Sequence, residues 1–464
     1  MKKNSLLKAM LIVFFAFVLL SWVIPTGYFS NGEFVKVAVT PIGLFDIITY
    51  PIVTATSSVF ILTAILFLCI GGFYGVLNKT GVYSKVLESL VKKGKGREKI
   101  VLVITTLVFT ILSSLTGLSL PLFILVPFAA ALLMLLGYNK LTAMVSTVGG
   151  ILAGSMASTY GFNVVGYISY LTENIHDSIW LRLLMLALVS IILVVTLVKT
   201  SKISKTKEEI PLYEKNSVKG KKATSLVVTS ILTILIIMIG MFNWYGVFGI
   251  ELFDNILTNI SNFKIGEYAI FSNLLGAMPA IGSWTNYEVC LVLIINSFII
   301  GRLYGLTCKE TFEGFKEGLI KMVPVALWTI AANVIFLLMN TNSSGYTMYN
   351  TIANSILGLS DELNVATMSL TSLIGSVLYN DFPYLLSSLY SPITALYTNF
   401  SLIGIIVQFI HGLVQFIAPT SVILVAGLTY FEIPYTEWLK KLWKLFLGLL
   451  IASIIVIIVM LIIA

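Results

Sequence analysis

Four clusters of Ser, Thr, Asn, Gly and Pro interrupt apolar stretches of this 464-residue chain, and residues that break a helix can also hold an ion or a small acid. SSLTGLSLP at 113–121 and GSMASTYGFN at 154–163 lie in the first half; YNDFP at 379–383 and QFIAPTS at 415–421 lie in the second. A half-helix pointing inward presents free N–H groups and partial positive charge at its N-terminus, which suits a carboxylate. Hydroxyls, and free carbonyls at C-terminal ends, suit Na⁺ or another hard cation. Ser158, Thr159 and Asn163, with Thr420 and Ser421, are therefore the first choice for substrate and ion ligands. Thr116, Ser119 and Asn380 occupy the other breaks and join the candidate set. An isolated Ser in a helix usually bonds its own backbone. Clusters beside Gly161 or Pro419 differ, because the backbone ladder is already broken there.

Asp381 is the sharpest residue. A carboxylate inside a membrane is costly and tends to be functional. It could receive a proton, hold a cation or pair with a substrate ammonium group; the alternative is a shallower segment with Asp381 in water. His411, in an apolar stretch just before Gly412, is a second candidate for proton coupling. A neutral, hydrogen-bonded interior histidine is the commoner case. Glu288 is expected to reach the membrane interface.

The elements that must carry these residues follow from composition. The chain is 58% hydrophobic and 11% charged with mean hydropathy +0.98, far from soluble usage. Apolar stretches of spanning length recur from Leu6 to the end, so the fold class is an all-α polytopic membrane protein. Of 29 basic residues, all but Lys36, Arg182 and Lys264 fall in groups before the first span, at 79–99, at Lys140, at 199–222, at 302–321 and at 440–444. Loops assigned to the other side carry Glu173 with Asp177, Glu251 with Asp254, and Asp361 with Glu362. The positive-inside bias puts the N-terminus in the cytoplasm of a cell membrane. The first apolar segment reads as a retained span, since no small-x-small cleavage site follows it.

Residues 100–137 are long enough for two crossings, yet both flanks carry cytoplasmic charge. A re-entrant hairpin with its tip at 113–121 reconciles the two; the alternative is an ordinary pair of spans. Residues 364–399 form the mirror case, broken at YNDFP. Spans are expected at 8–25, 56–78, 141–171, 178–199, 224–245, 277–301, 322–340, 400–430 and 443–464, with 26–50, 250–272, 307–321 and 431–443 in the interface. Span, hairpin, broken span, span thus occurs twice in opposite orientations. The domains are a first inverted repeat at 1–199, a lysine-rich cytoplasmic linker at 200–223, and a second inverted repeat at 224–464.

Other signals are weak. GGFYG at 71–75 permits close helix packing, and no strand precedes it as a dinucleotide loop would require. KKGKGREK at 92–99 reads as an orientation signal with lipid headgroup contact. There is no P-loop pattern, so ATP-driven pumping is not expected. Cys69, Cys290 and Cys308 suggest neither a disulfide framework nor a metal site. Net charge +8 reflects membrane orientation, with no nucleic-acid partner expected. A channel would need a continuous polar pore; a lipid-modifying enzyme would want an interfacial acid–histidine cluster, and the two histidines lie far apart.

Several stretches resemble the YfcC/DcuC-type carriers, the C4-dicarboxylate anaerobic carriers of the wider ion-transporter superfamily. They are SWVIPTGYFSNGEF at 21–34, IGGFYGVLNKTG at 70–81, ASTYGFNVVGYI at 157–168 and APTSVILVAGLTYFEIPYTEWLKK at 418–441. The resemblance implies a secondary carrier, not an enzyme, with a scaffold and a moving transport domain in an elevator-type cycle. The departures are Thr116, Gly117 and Ser119 where relatives carry an acidic turn, residues 380–384 where they carry a small-residue tip, and Gly161 in place of a proline. Substrate identity therefore does not carry over. The expected activity is movement of a small carboxylate-bearing solute (dicarboxylate, other organic acid or amino acid) by ion coupling or exchange. An amino-acid antiporter using Asp381 for the amine is the alternative, and an ion channel ranks below it. Na⁺ or H⁺ is the expected coupling ion, with no other cofactor. The lipid bilayer and the solute are the expected partners, with a homodimer left open.

Overall fold

The computed structural model describes residues 5–30, 33–172, 176, 178–203, 208–216, 222–339, 347–360, 364–397 and 400–463. Lys2, Lys3, Glu173, Asp177, Lys205, Lys207, Lys219, Lys221, Asp361 and Glu362, all used in the charge reading, lie outside the described residues. Among the described residues, seven helices are long and apolar enough to cross a membrane: Ser58–Lys79, Glu98–Thr116, Ile179–Thr200, Thr224–Met241, Asn286–Leu303, Cys308–Leu338 and Tyr435–Ile462. Shorter apolar helices make up the rest, as expected where Pro and Gly interrupt the ladder. The chain is a multi-pass, mostly helical membrane protein.

Three details depart from the sequence reading. Two small antiparallel strand pairs, Gly27–Ser30 with Glu33–Lys36 and Lys264–Ile265 with Tyr268–Ala269, qualify the all-α description. Residues 307–321 are no separate interfacial segment. A capping box between Thr307 and Glu310 starts the Cys308–Ala332 helix there, its carboxylate accepting Thr307 N–H at 2.7 Å. The last span likewise begins earlier, at Tyr435.

Packing sorts the helices into two groups. At the heart of the first, Ser58–Lys79 crosses Cys308–Ala332. Gly71 and Gly75 face Gly314 and Gly318 so closely that a Cβ at Gly75 would collide with the partner backbone. Each helix thus supplies a Gly-xxx-Gly face, and backbones approach where no side chain intervenes. Asn286–Leu303 and Thr224–Met241 complete this central group.

The second group carries the breaks. Glu98–Thr116 packs on Lys140–Met156, where Gly150 and Gly154 admit the neighbouring backbone and Thr106 Oγ1 meets Ser146 Oγ at 2.8 Å. Val365–Leu378 packs on Phe400–Gln415, and that helix contacts Lys140–Met156 in turn. Ile179–Thr200 and Tyr435–Ile463 flank these helices. The two groups meet where Cys308–Ala332 lies on Val422–Phe431 and where Tyr74 Oη donates to Ile124 O at 2.7 Å.

Element order repeats. From Ser58 the chain runs long helix, short helix, a pair of helices joined by a tip, a broken helix and a long helix. From Cys308 the sequence of elements is the same, with Val365–Leu378 and Phe382–Leu396 as the tip pair and Phe400–Gln415 and Val422–Phe431 as the broken helix.

Candidate functional site

The first tip and the first break are built on one backbone contact. Glu98–Thr116 ends at Gly117, whose φ of +69° places it in the left-handed region, and Gly117 N–H donates to Ser113 O at 2.9 Å. A Cβ on Gly161 would meet Gly117 N and Cα at 2.7 and 2.6 Å. Glycine at both positions is therefore what lets this tip and break touch. Ser114 ties them. Its Oγ donates to Ala157 O at 2.6 Å, and its carbonyl accepts Thr159 N–H at 2.9 Å. Ser158 Oγ donates to the same carbonyl at 3.3 Å, and Thr159 Oγ1 lies 3.2 Å from Ser114 Oγ.

The second tip and break mirror this with the donor on the other side. Thr420 Oγ1 donates to Val377 O at 2.8 Å, at the end of Val365–Leu378. Asn380 Nδ2 donates to Thr420 O at 3.2 Å and to Asn333 Oδ1 at 2.8 Å. His411 Nδ1 lies 3.2 Å from Ser376 Oγ, and Gln415 Nε2 donates to Ser376 O at 3.4 Å. Gln408 Nε2 crosses to the first break, donating to Ser158 O at 3.0 Å and Met156 O at 3.3 Å. Free carbonyls at the end of Lys140–Met156 are thereby satisfied, as buried polar groups must be.

A cavity of about 270 Å³ opens between the two tips. Ser119, Asn163, Asn380, Asp381 and His411 line it, five of the residues singled out by sequence. Pro121, Asn163, Pro383 and Val422 also line it, and each stands in the first turn of a helical segment. Pro121 has no N–H, and Leu122 and Phe123 donate to Leu118 O and Leu120 O, so the three ends at Asn163, Phe382 and Val422 are those that can turn first-turn N–H groups to this space. Asp381 precedes Phe382–Leu396 without capping it; its carboxylate opens into the cavity and has no hydrogen-bond partner among the described residues. No Lys, Arg or Glu lines this space among the described residues.

Thr116, Ser158, Thr159, Thr420 and Ser421 do not line the cavity. Thr116 Oγ1 turns back to Leu112 O at 2.6 Å, the ordinary helical back-bond. Ser158, Thr159 and Thr420 are buried in the joints just described, and Ser421 is buried with no partner for its Oγ among the described residues. Asn333, Ser155, Gln415, Thr63 and Asn286 line the space and were not anticipated. One signal was available: Gln408, His411 and Gln415 at i, i+3 and i+7 mark one polar face of an otherwise apolar helix. All three cysteines are free, Cys69 and Cys290 buried and Cys308 exposed at the start of its helix.

The sequence is similar to those of known carriers. A protein of Escherichia coli (strain K12) named "Putative basic amino acid antiporter YfcC" is 22% identical over 396 residues, covering 80% of this chain and 72% of that protein. The crystal structure of the YdaH transporter of Alcanivorax borkumensis aligns over 98% of this chain and 97% of its own, at 16% identity and a TM-score of 0.39. The family model for the DcuC C4-dicarboxylate anaerobic carriers matches residues 4–462, so this chain belongs to the C4-dicarboxylate anaerobic carrier family.

Proposed function

We propose that the protein is a secondary active transporter of a cell membrane that moves a small carboxylate-bearing solute through the cavity between the two tips, by ion coupling or exchange. The observation that carries this reading is the set of three half-helix N-termini, at Asn163, Phe382 and Val422, lining one space, with Asp381 the single acidic side chain there among the described residues. Such ends attract a carboxylate. The repeated element order supports two inverted repeats, at 1–199 and 224–464, joined by the 200–223 linker. On this reading the group bearing the tips moves against the central pair, the N-terminus is cytoplasmic, and Na⁺ or H⁺ is the coupling ion.

Asp381 favours a second, narrower reading. Asp381 is exposed to the cavity with no Lys or Arg on its walls among the described residues, which leaves it open to a proton, a metal cation or a solute amine. Carboxylate attraction and one carboxylate in a single cavity match an amino acid, α-carboxylate toward the helix ends and ammonium toward Asp381. Counterflow in proteoliposomes tests both readings, with labelled succinate and labelled L-arginine each assayed with and without Na⁺. Saturable counterflow of either solute fits a carrier. Non-saturable flux with channel-like conductance overturns it, and succinate counterflow without arginine counterflow overturns the amine reading.

A further inference from the structure

The lysine-rich linker is more than a tether. Of its described residues, 208–216 lie across the seam between the two helix groups and are fastened to both. On the central group, Asn78 Nδ2 donates to Leu212 O at 2.9 Å and Asn78 Oδ1 accepts Glu214 N–H at 3.2 Å. Lys321 Nζ meets Glu214 Oε1 at 2.6 Å. On the tip-bearing group, Tyr430 Oη donates to Pro211 O at 3.0 Å, and Glu208 Oε2 accepts Lys140 N–H at 2.7 Å. Ser84 Oγ donates to Asn216 O, and Tyr83 meets Tyr213 edge-on at 6.2 Å.

The segment is also held by burial. Leu212 is 5% exposed and sits at φ +52°, a left-handed conformation that a branched side chain adopts only when its surroundings impose it. Ile210 and Tyr213 pack beside it on the same core. Along the segment runs a cavity of about 440 Å³, walled by Met322 and Trp328 of the central group and by Thr429 and Tyr435 of the other. The seam therefore has room for relative movement, and the segment spans it.

We infer that residues 208–216 form a latch that holds the two groups in this arrangement and must let go of one of them when they move. A segment tied to one group would ride with it; one bonded to both stores the arrangement, because displacement breaks hydrogen bonds whose partners are buried. Glu214 makes the latch ionic toward Lys321 on its exposed side, while Glu208 accepts a backbone N–H. The inference rests on the proposed movement of the tip-bearing group.

Double electron–electron resonance on the full-length protein in lipid nanodiscs reads the latch without any solute. Nitroxides on the exposed Cys308 of the central group and on Lys441→Cys of the tip-bearing group report their separation, in a Cys69→Ala, Cys290→Ala background. Tyr430→Phe and Glu214→Gln each remove one fastening with little change of shape; Asn78→Ala removes two. The expected result is a second distance whose population rises at least threefold above the parent's in the fastening variants. Two distances at the same weights in parent and variants overturn the latch but leave the movement standing. One unchanged distance in every variant overturns the movement and the latch together. Tyr430→Phe and Glu214→Gln decide the matter even if Asn78→Ala does not fold.

Discussion

Asn380 joins three parts of the site, so its loss is the most direct probe of how the tips are held. Its amide donates to Asn333 Oδ1 at 2.8 Å and to Thr420 O at 3.2 Å. Asn380→Ala removes both bonds. Each contributes ~0.5–1.5 kcal/mol net, for a total of about 1–3 kcal/mol. The upper half of that range applies, because Thr420 is 1% exposed and stands off the cavity, so its carbonyl is left without that partner. Asn333 is 4% exposed and its own amide is held by Thr329 O at 2.8 Å, so Asn333→Ala loses the shared bond and one more. The shared bond appears alone in a double-mutant cycle. The expected coupling is about 1 kcal/mol, roughly a fivefold change in an equilibrium constant. Thermal unfolding of the parent, both single variants and the double variant measures it; one kcal/mol shifts a melting point by about 2–4 °C in a 150–250-residue domain, and by less in a longer chain. The double variant should melt higher than the sum of the single shifts implies. Strict additivity within about 0.3 kcal/mol refutes the bond and, with it, the assignment of Asn333 to the second tip.

Asp381→Asn keeps the size of the side chain and removes its charge. A proton role predicts uptake that no longer varies with pH, a cation role weakened Na⁺ dependence, and an amine role lost arginine affinity with succinate handling intact; parental behaviour in all three assays removes Asp381 from the site. Ser114→Ala should lower thermal stability by about 1–3 kcal/mol, since it strips the buried Ala157 carbonyl of its side-chain partner and takes one of two partners from the Thr159 hydroxyl. Loss of uptake in Ser114→Ala at parental stability would mean that Ser114 acts on solute rather than on the joint. Gly161→Ala places a methyl against the Gly117 backbone, an overpacking cost of about 1–3 kcal/mol that should appear as reduced folded yield on size-exclusion chromatography. Impermeant maleimide should label Cys308 from the cytoplasmic side and spare buried Cys69 and Cys290; labelling of Cys308 from outside reverses the proposed orientation.

Much of this protein follows from its sequence by itself. Runs of apolar residues with so few charges leave the bilayer as the only solvent in which the chain can fold, and that determines a helical, multi-pass architecture. The same constraint makes each Pro- and Gly-rich interruption visible, because a broken ladder in an apolar run has to be compensated by other parts of the protein. The four breaks were legible for this reason, as was Asp381 beside one of them. Which side chains face the cavity was not. A helix carries its phase forward at 100° per residue, but a break resets it, so the direction of Ser158, Thr159, Thr420 or Ser421 cannot be extrapolated from the helix before it. Their partners are also distant in the chain. Ser114 meets Thr159 across 45 residues and Gln408 meets Ser158 across 250, pairings that only tertiary packing decides. The linker shows the same division: its lysines announce a cytoplasmic side, whereas its fastening to Asn78, Lys321, Lys140 and Tyr430 depends on two helix groups being brought side by side.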